Sequence, residues 1–415
     1  MKILVVGNGA REHALCWKIK QSPLVSELLC APGNPGISQV ARCERVAVDD
    51  VEGLRALALK EKIDLTIVGP ERPLDCGLVD AFQSAGLLVF GPKKAAARLE
   101  SSKAFAKEVM VAAGVPTAGY HVCASREEAK GVVRQTGRGY VVKVDGLAAG
   151  KGVIVARTID ETLHAIDAVF DEFSPSKVVL EEFLEGVEAS FIIATDGTHI
   201  VPLLPAHDYK RLGEGDAGPN TGGMGSVCPT PRIEPKSIPA LVESIVHPVL
   251  REMKHRGTPF HGFLYAGLML DTNGSPQVLE FNVRLGDPEA QSILRMLKSD
   301  IVPLLRDLAG GVGPAPLEWH QGHSVCIVHA AEGYPGTPRK GDLIEGIPLI
   351  RSLSEVQLFC AGVGSTARGE LVTDGGRVLS VTARDSSLEG ARRLALRASD
   401  LVQFRGRQMR RDIGL

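Results

Sequence analysis

The sequence predicts a multidomain protein of mixed α/β and α+β class, with a doubly wound parallel sheet at its N-terminus and a small β-rich domain at its C-terminus. Three observations carry that expectation. The chain has 415 residues, which at roughly 150 per domain gives about three packed cores. Over the first hundred residues short β-branched runs alternate with helical segments, the pattern of a parallel sheet covered by helices on both faces. From Tyr140 onward the texture changes to strands joined by glycine turns, which implies an α+β layer.

Taken in order, Met1 to Gly7 reads as a strand stopped by glycine, and Arg11 to Lys20 as the helix that follows it. A helix over Val51 to Glu61, a strand over Asp64 to Gly69, a helix over Leu74 to Ala85 and a strand over Leu87 to Gly91 complete a first domain, residues 1–100. Ser101 or Ser102 can cap a helix that carries Phe105, Val109 and Met110 on one face and closes at Gly114 and Pro116. Gly139 to Val144 and Val153 to Ala156 read as a hairpin with the glycine-rich tip Gly146 to Gly152. After a helix near Asp160 to Phe170, the runs Val178 to Leu184, Glu188 to Ala194 and His199 to Leu204 read as consecutive strands. Phe263 to Asp271 and Gln277 to Val283 form a further hairpin, in which Asn273-Gly274 favours a two-residue type I′ turn. From His323 the chain is again strand-rich, with a tight turn at Asp374-Gly375-Gly376 and a helix from Leu388 to Leu401. Residues 101–322 and 323–415 are therefore read as the second and third domains.

Composition narrows the function classes. Hydrophobic residues at 44% and charged residues at 23% are those of an ordinary globular protein. The charge sum, 47 Lys+Arg against 49 Asp+Glu, gives −2 with no block of one sign, which argues against binding nucleic acid or an acidic membrane by bulk charge. Eight scattered cysteines without a Cys-x-x-Cys pair disfavour a zinc site or a disulfide framework and suit a reducing compartment. The N-terminal apolar run is too short for a signal sequence, and no later run approaches a membrane span. The expectation is a full-length cytoplasmic protein, with no nucleic acid, no membrane and no obligate protein partner.

Several segments carry chemistry. Gly7-x-Gly9, after a strand and before a helix, sets backbone N–H groups at a helix start, where an anion is favoured. Glu12 stands where a dinucleotide fingerprint needs its third glycine, which disfavours NAD and leaves a phosphate-bearing substrate or a structural turn. Pro32 to Gly36 and Gly69-Pro70-Glu71 follow strands, at the sheet edge where open α/β sheets take ligands. Lys143 and Lys151 flank a small-residue loop suited to draping amides and positive charge over phosphates, or to a flexible tip. Glu181, Glu182, Phe183, Leu184 and Glu188 gather acids and an aromatic beside β-branched runs. Along Leu279 to Arg284 the strand period of two puts Glu280, Asn282 and Arg284 on one face: hard oxygen donors suited to Mg²⁺ and a guanidinium suited to a carboxylate or phosphate, or else a solvated polar face. Gly213 to Gly225, following His207-Asp208-Tyr209-Lys210-Arg211, is either an active-site lid or a slack connection, and the histidines lack metal spacing.

These segments together resemble the phosphoribosylamine-glycine ligase family, of the ATP-grasp superfamily. The resemblance runs nearly end to end and rests on Gly7-Asn8-Gly9-Ala10-Arg11-Glu12-His13, Pro32-Gly33-Asn34-Pro35-Gly36, Val68-Gly69-Pro70-Glu71, Ser102-Lys103-x-Phe105-x-Lys107, Val142-Lys143-x-Asp145-Gly146 through Gly152-Val153, Pro219-Asn220-Thr221-Gly222-Gly223-Met224-Gly225, Glu280-Phe281-Asn282-x-Arg284-x-Gly286-Asp287-Pro288-Glu289 and Arg411-Asp412-Ile413-Gly414. It implies an ATP-grasp core with a mobile lid near residues 120–190. It also implies an ATP-dependent ligation of glycine to 5-phosphoribosylamine through a glycyl phosphate, releasing ADP and phosphate, in de novo purine synthesis. Lys103 and Lys143 would hold ATP phosphates, Glu181 to Leu184 the adenine, and Glu188 the ribose hydroxyls. Glu280 and Asn282 would bind Mg²⁺ or Mn²⁺. Asp208 and Arg284 would hold glycine, and Gly9, Arg11, Asn34 and Glu71 phosphoribosylamine, with Asp208, Arg284 and Lys143 closest to the chemistry. Another ATP-grasp carboxylate-amine ligase would share Lys143, Glu280 and Asn282 and differ around Arg11 and Asp208. No protein nucleophile is required, in keeping with the lack of a Ser/His/Asp or Cys/His constellation.

Overall fold

The N-terminal part of the computed structural model, which describes residues 1–148 and 152–415, is organised by a parallel sheet built on the first strand. β1 (Lys2–Gly7), β2 (Glu27–Pro32), β3 (Arg42–Cys43), β4 (Leu65–Val68) and β5 (Val89–Phe90) lie in the order β3-β2-β1-β4-β5. All pairings are parallel. Both faces of β1 are buried, Leu4 and Val6 in one apolar cluster and Ile3 and Val5 in another, as a sheet covered on two sides requires. The helix expected over residues 74–85 is two helices, Glu71–Asp75 and Leu78–Ser84. The break falls at Gly77, whose φ of +86° a helix interior does not accept.

Ser102 caps the helix Lys103–Ala112 by accepting from the Phe105 N–H at 3.1 Å. A small antiparallel sheet follows: β6 (Tyr120–Cys123), β7 (Val141–Val144), β8 (Val153–Val155) and β9 (Val178–Glu181), in the order β6-β9-β7-β8. The helices Arg126–Thr136 and Ile159–Phe173 belong to the same unit. β7 and β8 form the expected hairpin; Ala149, Gly150 and Lys151 of its tip lie outside the described residues. Tyr140, Val142, Ile166 and Leu180 belong to an apolar cluster confined to this unit.

β10 (Val187–Thr195) does not continue that sheet. The runs expected as consecutive strands are strands, but β9 and β10 lie in different sheets. The chain crosses between them at Gly186, where a Cβ would stand 2.2 Å from the Leu270 carbonyl oxygen. After β11 (Ile200–Pro202) come β12 (His207–Asp208), the hairpin β13 (Arg211–Gly213) and β14 (Ala217–Asn220), and β15 (Gly225–Cys228). β16 (Gly262–Leu270) and β17 (Pro276–Asn282) complete the central antiparallel sheet β11-β10-β16-β17. The turn between them is not the expected two-residue type I′. Leu270 pairs with Pro276, and the Asp271 carboxylate accepts from the N–H groups of Asn273 at 2.8 Å and Ser275 at 2.9 Å, which organises a five-residue loop instead.

The C-terminal strands are β18 (His323–Ala330), β19 (Val356–Cys360), β20 (Val363–Ser365), β21 (Leu371–Thr373) and β22 (Arg377–Asp385). Three of them join β12 and β15 in one sheet, β12-β15-β18-β22-β19. The β-rich layer is therefore not closed on residues 323–415: two of its strands come from residues 207–228. The N-terminal and central sheets also share their cores, Leu4 and Val6 with Phe191 and Phe281, and Ile3 and Val5 with Ile192 and Phe263. Among the described residues no helix is long and apolar enough to cross a membrane.

Because the cluster around Ile166 shares no residue with the other cores, damage there should stay local. Ile166→Ala is expected to cost about 2 to 5 kcal/mol. Hydrogen exchange should quicken in residues 120–182 and stay unchanged in the two N-terminal cores; a uniform increase would show that the unit is not an independent body.

Candidate active site

A cleft of about 350 Å³ lies among the small sheet, β17 and the carboxyl edge of the N-terminal sheet. Of the residues expected to act, it is lined by Arg11, Glu71, Lys103, Lys143, Glu181, Asp208, Glu280, Asn282 and Arg284. Gly9, Asn34, Glu182, Phe183, Leu184 and Glu188 are not among its lining residues.

At one end three lysines converge. Lys103 opens its helix and donates to the Gly146 carbonyl at 3.0 Å. Lys143, on β7, meets Glu181 Oε1 at 2.8 Å and donates to the Leu279 carbonyl at 3.2 Å. Lys107, only 1% exposed, meets Glu181 Oε2 at 2.7 Å and donates to Thr117 Oγ1 at 2.7 Å. The Glu181 carboxylate is thus shared between two ammonium groups. Burial lowers the pKa of Lys103 and of Lys107, against the pull of Glu280 and Glu181 respectively. Glu182 pairs outward with Arg138 at 2.7 Å, and Phe183 stacks under Arg157 at 4.1 Å.

β17 supplies the centre. Glu280 and Asn282 both line the cleft, as the period of two requires, with Phe281 between them entering the core. A register shift opposite Gly267 and Leu268 breaks that period before Glu280, so Val278 is buried too. Among the described residues the Glu280 carboxylate makes no hydrogen bond and no ion pair, while its backbone pairs with Gly267. Burial would raise its pKa, but Lys210, Lys143, Lys103 and Arg284 outweigh that and lower it. Arg284, just past the strand, is held on several sides: Glu100 at 2.8 Å, Glu71 at 3.3 Å, Asn282 Oδ1 at 3.2 Å and the Leu285 carbonyl at 3.2 Å. Among the described residues these partners engage four of its five N–H groups, so a substrate carboxylate meets it through one remaining N–H on Nη1 or by sharing these partners.

Opposite stand the acids. Ser190 Oγ donates to Glu289 Oε1 at 2.8 Å and shares a hydrogen bond with Tyr265 Oη at 2.8 Å. Lys210 meets Glu188 at 2.5 Å, and its pKa is held well up by Glu188, Asp208 and Glu280 in spite of burial. Asp208 is pushed up to about 7, first by burial and then by Glu289 and Glu188, with Lys210 pulling the other way. Thr221 donates from N and from Oγ1 to the Lys210 carbonyl, each at 2.8 Å. Of the glycine loop, Thr221 and Gly222 line the cleft, and Thr221 is held there by these bonds.

The N-terminal edge contributes Arg11, bound to Glu12 at 2.6 Å and to the Leu285 carbonyl at 3.1 Å. Asn34 turns its side chain into the protein. Its amide donates to the Asn8 and Cys360 carbonyls at 2.8 and 3.0 Å, and its Oδ1 accepts from Gly36 and Ile37 at 2.8 and 2.9 Å. The C-terminal part adds Arg377, which donates to the carbonyls of Gly222 at 2.6 Å and Asp287 at 2.7 Å, while the Gly222 N–H donates to Tyr334 Oη at 2.8 Å. Lys107, Lys210 and Glu289 could have been found from their places in the quoted motifs, Lys107 being one helical turn from Lys103 on the same face. Glu100, Tyr265 and Arg377 carried no local signal.

Three family models match the chain in sequence: the phosphoribosylglycinamide synthetase N domain over residues 1–100, its ATP-grasp (A) domain over 101–290 and its C domain over 324–415. The phosphoribosylamine–glycine ligase of Xanthomonas campestris pv. campestris is 48% identical over 424 aligned positions, covering 100% of this chain and 97% of that one. The crystal structure of phosphoribosylamine–glycine ligase from Thermotoga maritima matches with a TM-score of 0.86 at 34% identity, covering 100% of both chains. The biotin carboxylase domain of 2-oxoglutarate carboxylase from Hydrogenobacter thermophilus, a complex with MgADP and bicarbonate, shares the fold at 18% identity and a TM-score of 0.77, covering 98% of this chain and 91% of that one.

The raised Asp208 carboxyl has a consequence for stability. Between its unfolded pKa of about 3.9 and its folded value of about 7 the native state holds more protons than the unfolded one, so its contribution is full below about pH 4 and is lost as pH rises through about 7. Asp208→Asn, which cannot ionise, is expected to lose less stability than the parent between about pH 5 and about pH 8. Urea midpoints at the two pH values check this, and parallel losses would return the carboxyl to its ordinary range.

Proposed function

The chain belongs to the phosphoribosylglycinamide synthetase family and is an ATP-dependent ligase joining glycine to phosphoribosylamine in purine synthesis; we propose that the cleft just described is where it does so. The supporting observation is the Glu280 carboxylate, unpaired among the described residues and framed by Lys103, Lys143, Lys210 and Arg284. Such a centre can gather phosphates, a metal ion and a carboxylate around one point.

The chemistry sets what is needed. A glycine carboxylate is a poor electrophile, so one of its oxygens attacks the γ-phosphorus of ATP, and the bond from that phosphorus to the ADP oxygen breaks. The amine of phosphoribosylamine then attacks the carbonyl carbon of the glycyl phosphate, phosphate leaves with the bonding electrons, and the new amide nitrogen loses a proton. Both steps move negative charge, and fixed cations in a water-poor cleft favour them.

Lys103 and Lys143 stand where the triphosphate would lie. Leu99, Ala106, Met110 and Phe281 give the adenine an apolar wall beside the segment Glu181 to Leu184, and Glu188 takes the ribose hydroxyls when the small sheet closes down. Glu280, with a carboxylate unpaired among the described residues, and Asn282, whose amide oxygen keeps a lone pair beside the one it offers Arg284, fit a hard divalent ion, Mg²⁺ or Mn²⁺. When bound, such an ion would neutralise charge between the terminal phosphates. Asp208, beside Glu289, faces the glycine ammonium and can accept a proton, while Arg284 steadies the glycine carboxylate through a shared contact. Arg11, Glu71 and Gly9 border the ribosylamine, and Asn34 shapes that border from behind. The cytoplasm, with its supply of ATP and reduced thiols, suits the reaction.

A coupled assay tests the assignment: ADP release should require glycine and freshly made phosphoribosylamine together. Release with bicarbonate or formate in place of glycine would assign the cleft to another ligase of the same fold. Glu280→Gln keeps the volume and removes the charge, so kcat is expected to fall about 10² to 10³-fold in a variant that still folds, with a melting temperature lowered by the loss of a carboxylate that four cations favour. Retention of more than about a tenth of the parent kcat at saturating Mg²⁺ would remove Glu280 from the metal site.

A further inference from the structure

Glu12 fills the crevice in which an open parallel sheet ordinarily takes its ligand. In the order β3-β2-β1-β4-β5 the strand sequence reverses between β1 and β4, and ligands of such sheets bind outside the carboxyl ends of those two strands. Here each strand runs into a glycine. A Cβ on Gly7, whose φ is +136°, would stand 2.3 Å from Glu12 Cγ, and one on Gly69 would stand 2.3 Å from Glu12 Oε1. The carboxylate between them is 2% exposed; its Oε2 accepts from the Gly9 N–H at 2.6 Å and its Oε1 from Arg11 Nε at 2.6 Å. The amide that would greet an external anion is met by an internal one.

The consequence falls on Arg11. A guanidinium has five N–H groups in one plane. Glu12 takes the one on Nε, the Leu285 carbonyl takes one on Nη1 at 3.1 Å, and among the described residues Arg11 has no further acceptor. Arg11 lines the cleft at 7% exposure, with its terminal edge otherwise uncommitted. Arg284 nearby is the opposite case, held by Glu71, Glu100, Asn282 and Leu285.

We propose that Glu12 is a positioning residue, which locks Arg11 through Nε so that the open Nη edge receives the phosphate of the sugar-phosphate amine. This rests on the function assigned to the cleft above. Fixing Nε fixes the plane of the whole fork, and a planar fork held in advance binds phosphate in a bidentate manner without first having to be ordered. Covered on all sides, Glu12 touches no substrate and acts only through Arg11.

Ribose 5-phosphate, which lacks the amine, serves as the probe, as a competitor of phosphoribosylamine. Glu12→Gln offers one oxygen to two donors, so either Gly9 or Arg11 then faces an NH₂ group. The Ki of ribose 5-phosphate and the KM of phosphoribosylamine are expected to rise at least about tenfold, while the KM values of ATP and glycine stay within about threefold. In a double-mutant cycle with Arg11→Met, the second substitution should add less than about twofold, since both remove one contact. Additive effects, or an equal rise in the glycine KM, would overturn the proposal. Should Glu12→Gln fail to fold, Glu12→Asp, one methylene short of Nε, is carried through the same cycle with the same expected direction. A parent enzyme indifferent to ribose 5-phosphate would overturn the assignment of the cleft as well, whereas equal inhibition of parent and variant would overturn the role of Glu12 alone.

Discussion

A guanidinium gripped by two carboxylates fixes the geometry on which the cleft depends. Arg284 leaves the end of β17 and is met by Glu71 and Glu100, both from the first hundred residues, so one cation joins the central sheet to the N-terminal part. Glu100 also accepts from the Val283 N–H at 2.8 Å, which ties the strand's backbone to the same carboxylate. Burial raises the Glu100 pKa in spite of Arg284, and the two acids together hold Arg284 in its charged form. Removing one member of such a buried group leaves an uncompensated charge, at about 3 to 5 kcal/mol, so its hold on geometry is firm even where its net contribution to stability is small. Glu280 and Asn282 inherit their direction from this anchor, because they lie four and two residues before it, on the strand that runs into it.

A second charge arrangement acts at the opposite end. Glu181 closes the small sheet's contribution to the cleft, and its two oxygens are divided between Lys143 of the same sheet and Lys107 of the neighbouring helix. The carboxylate is thus a bridge between a unit with its own core and the body of the protein. Two lysines so close would repel each other without it, and with it both are held ready for an anion with little reorganisation. The contrast with Glu280 and Asp208, acids whose carboxylates have no partner among the described residues, separates carboxylates that arrange the cleft from those left open to bind.

Much of this was legible in the sequence where the determinants are local. The period of two along Glu280 to Arg284, the Ser102 cap, the glycine stop at Gly7 and the β7–β8 hairpin each depend on a few neighbouring residues. Where two local signals competed, the sequence misled. Asn273-Gly274 favoured a tight turn, but the Asp271 carboxylate captured the N–H groups of Asn273 and Ser275 and widened it. Sheet membership was not legible, since the separation of β9 from β10 and the union of β12 and β15 with β18 depend on pairings across the chain. Side chains assigned by motif also turned out to serve the fold: Asn34 spends its amide on the Asn8 and Cys360 carbonyls. Arg377 and Tyr334 reach the glycine loop from more than a hundred residues away, and no spacing rule exposes them.

The sheet shared between residues 207–228 and the C-terminal strands sets a timetable for synthesis. β15 emerges from the ribosome about a hundred residues before β18, its antiparallel neighbour, and at translation speeds of about 5 to 20 residues per second it waits on the order of 5 to 20 s with that edge unpaired. Asp208, on β12, is seated through β15 and so shares the delay. The nascent chain can complete its parallel sheet early, but the acid side of the cleft is assembled only when the last quarter of the polypeptide arrives. A ribosome that stalls after β17 would hold a chain with its Glu280-bearing strand made and its Asp208 wall unsupported.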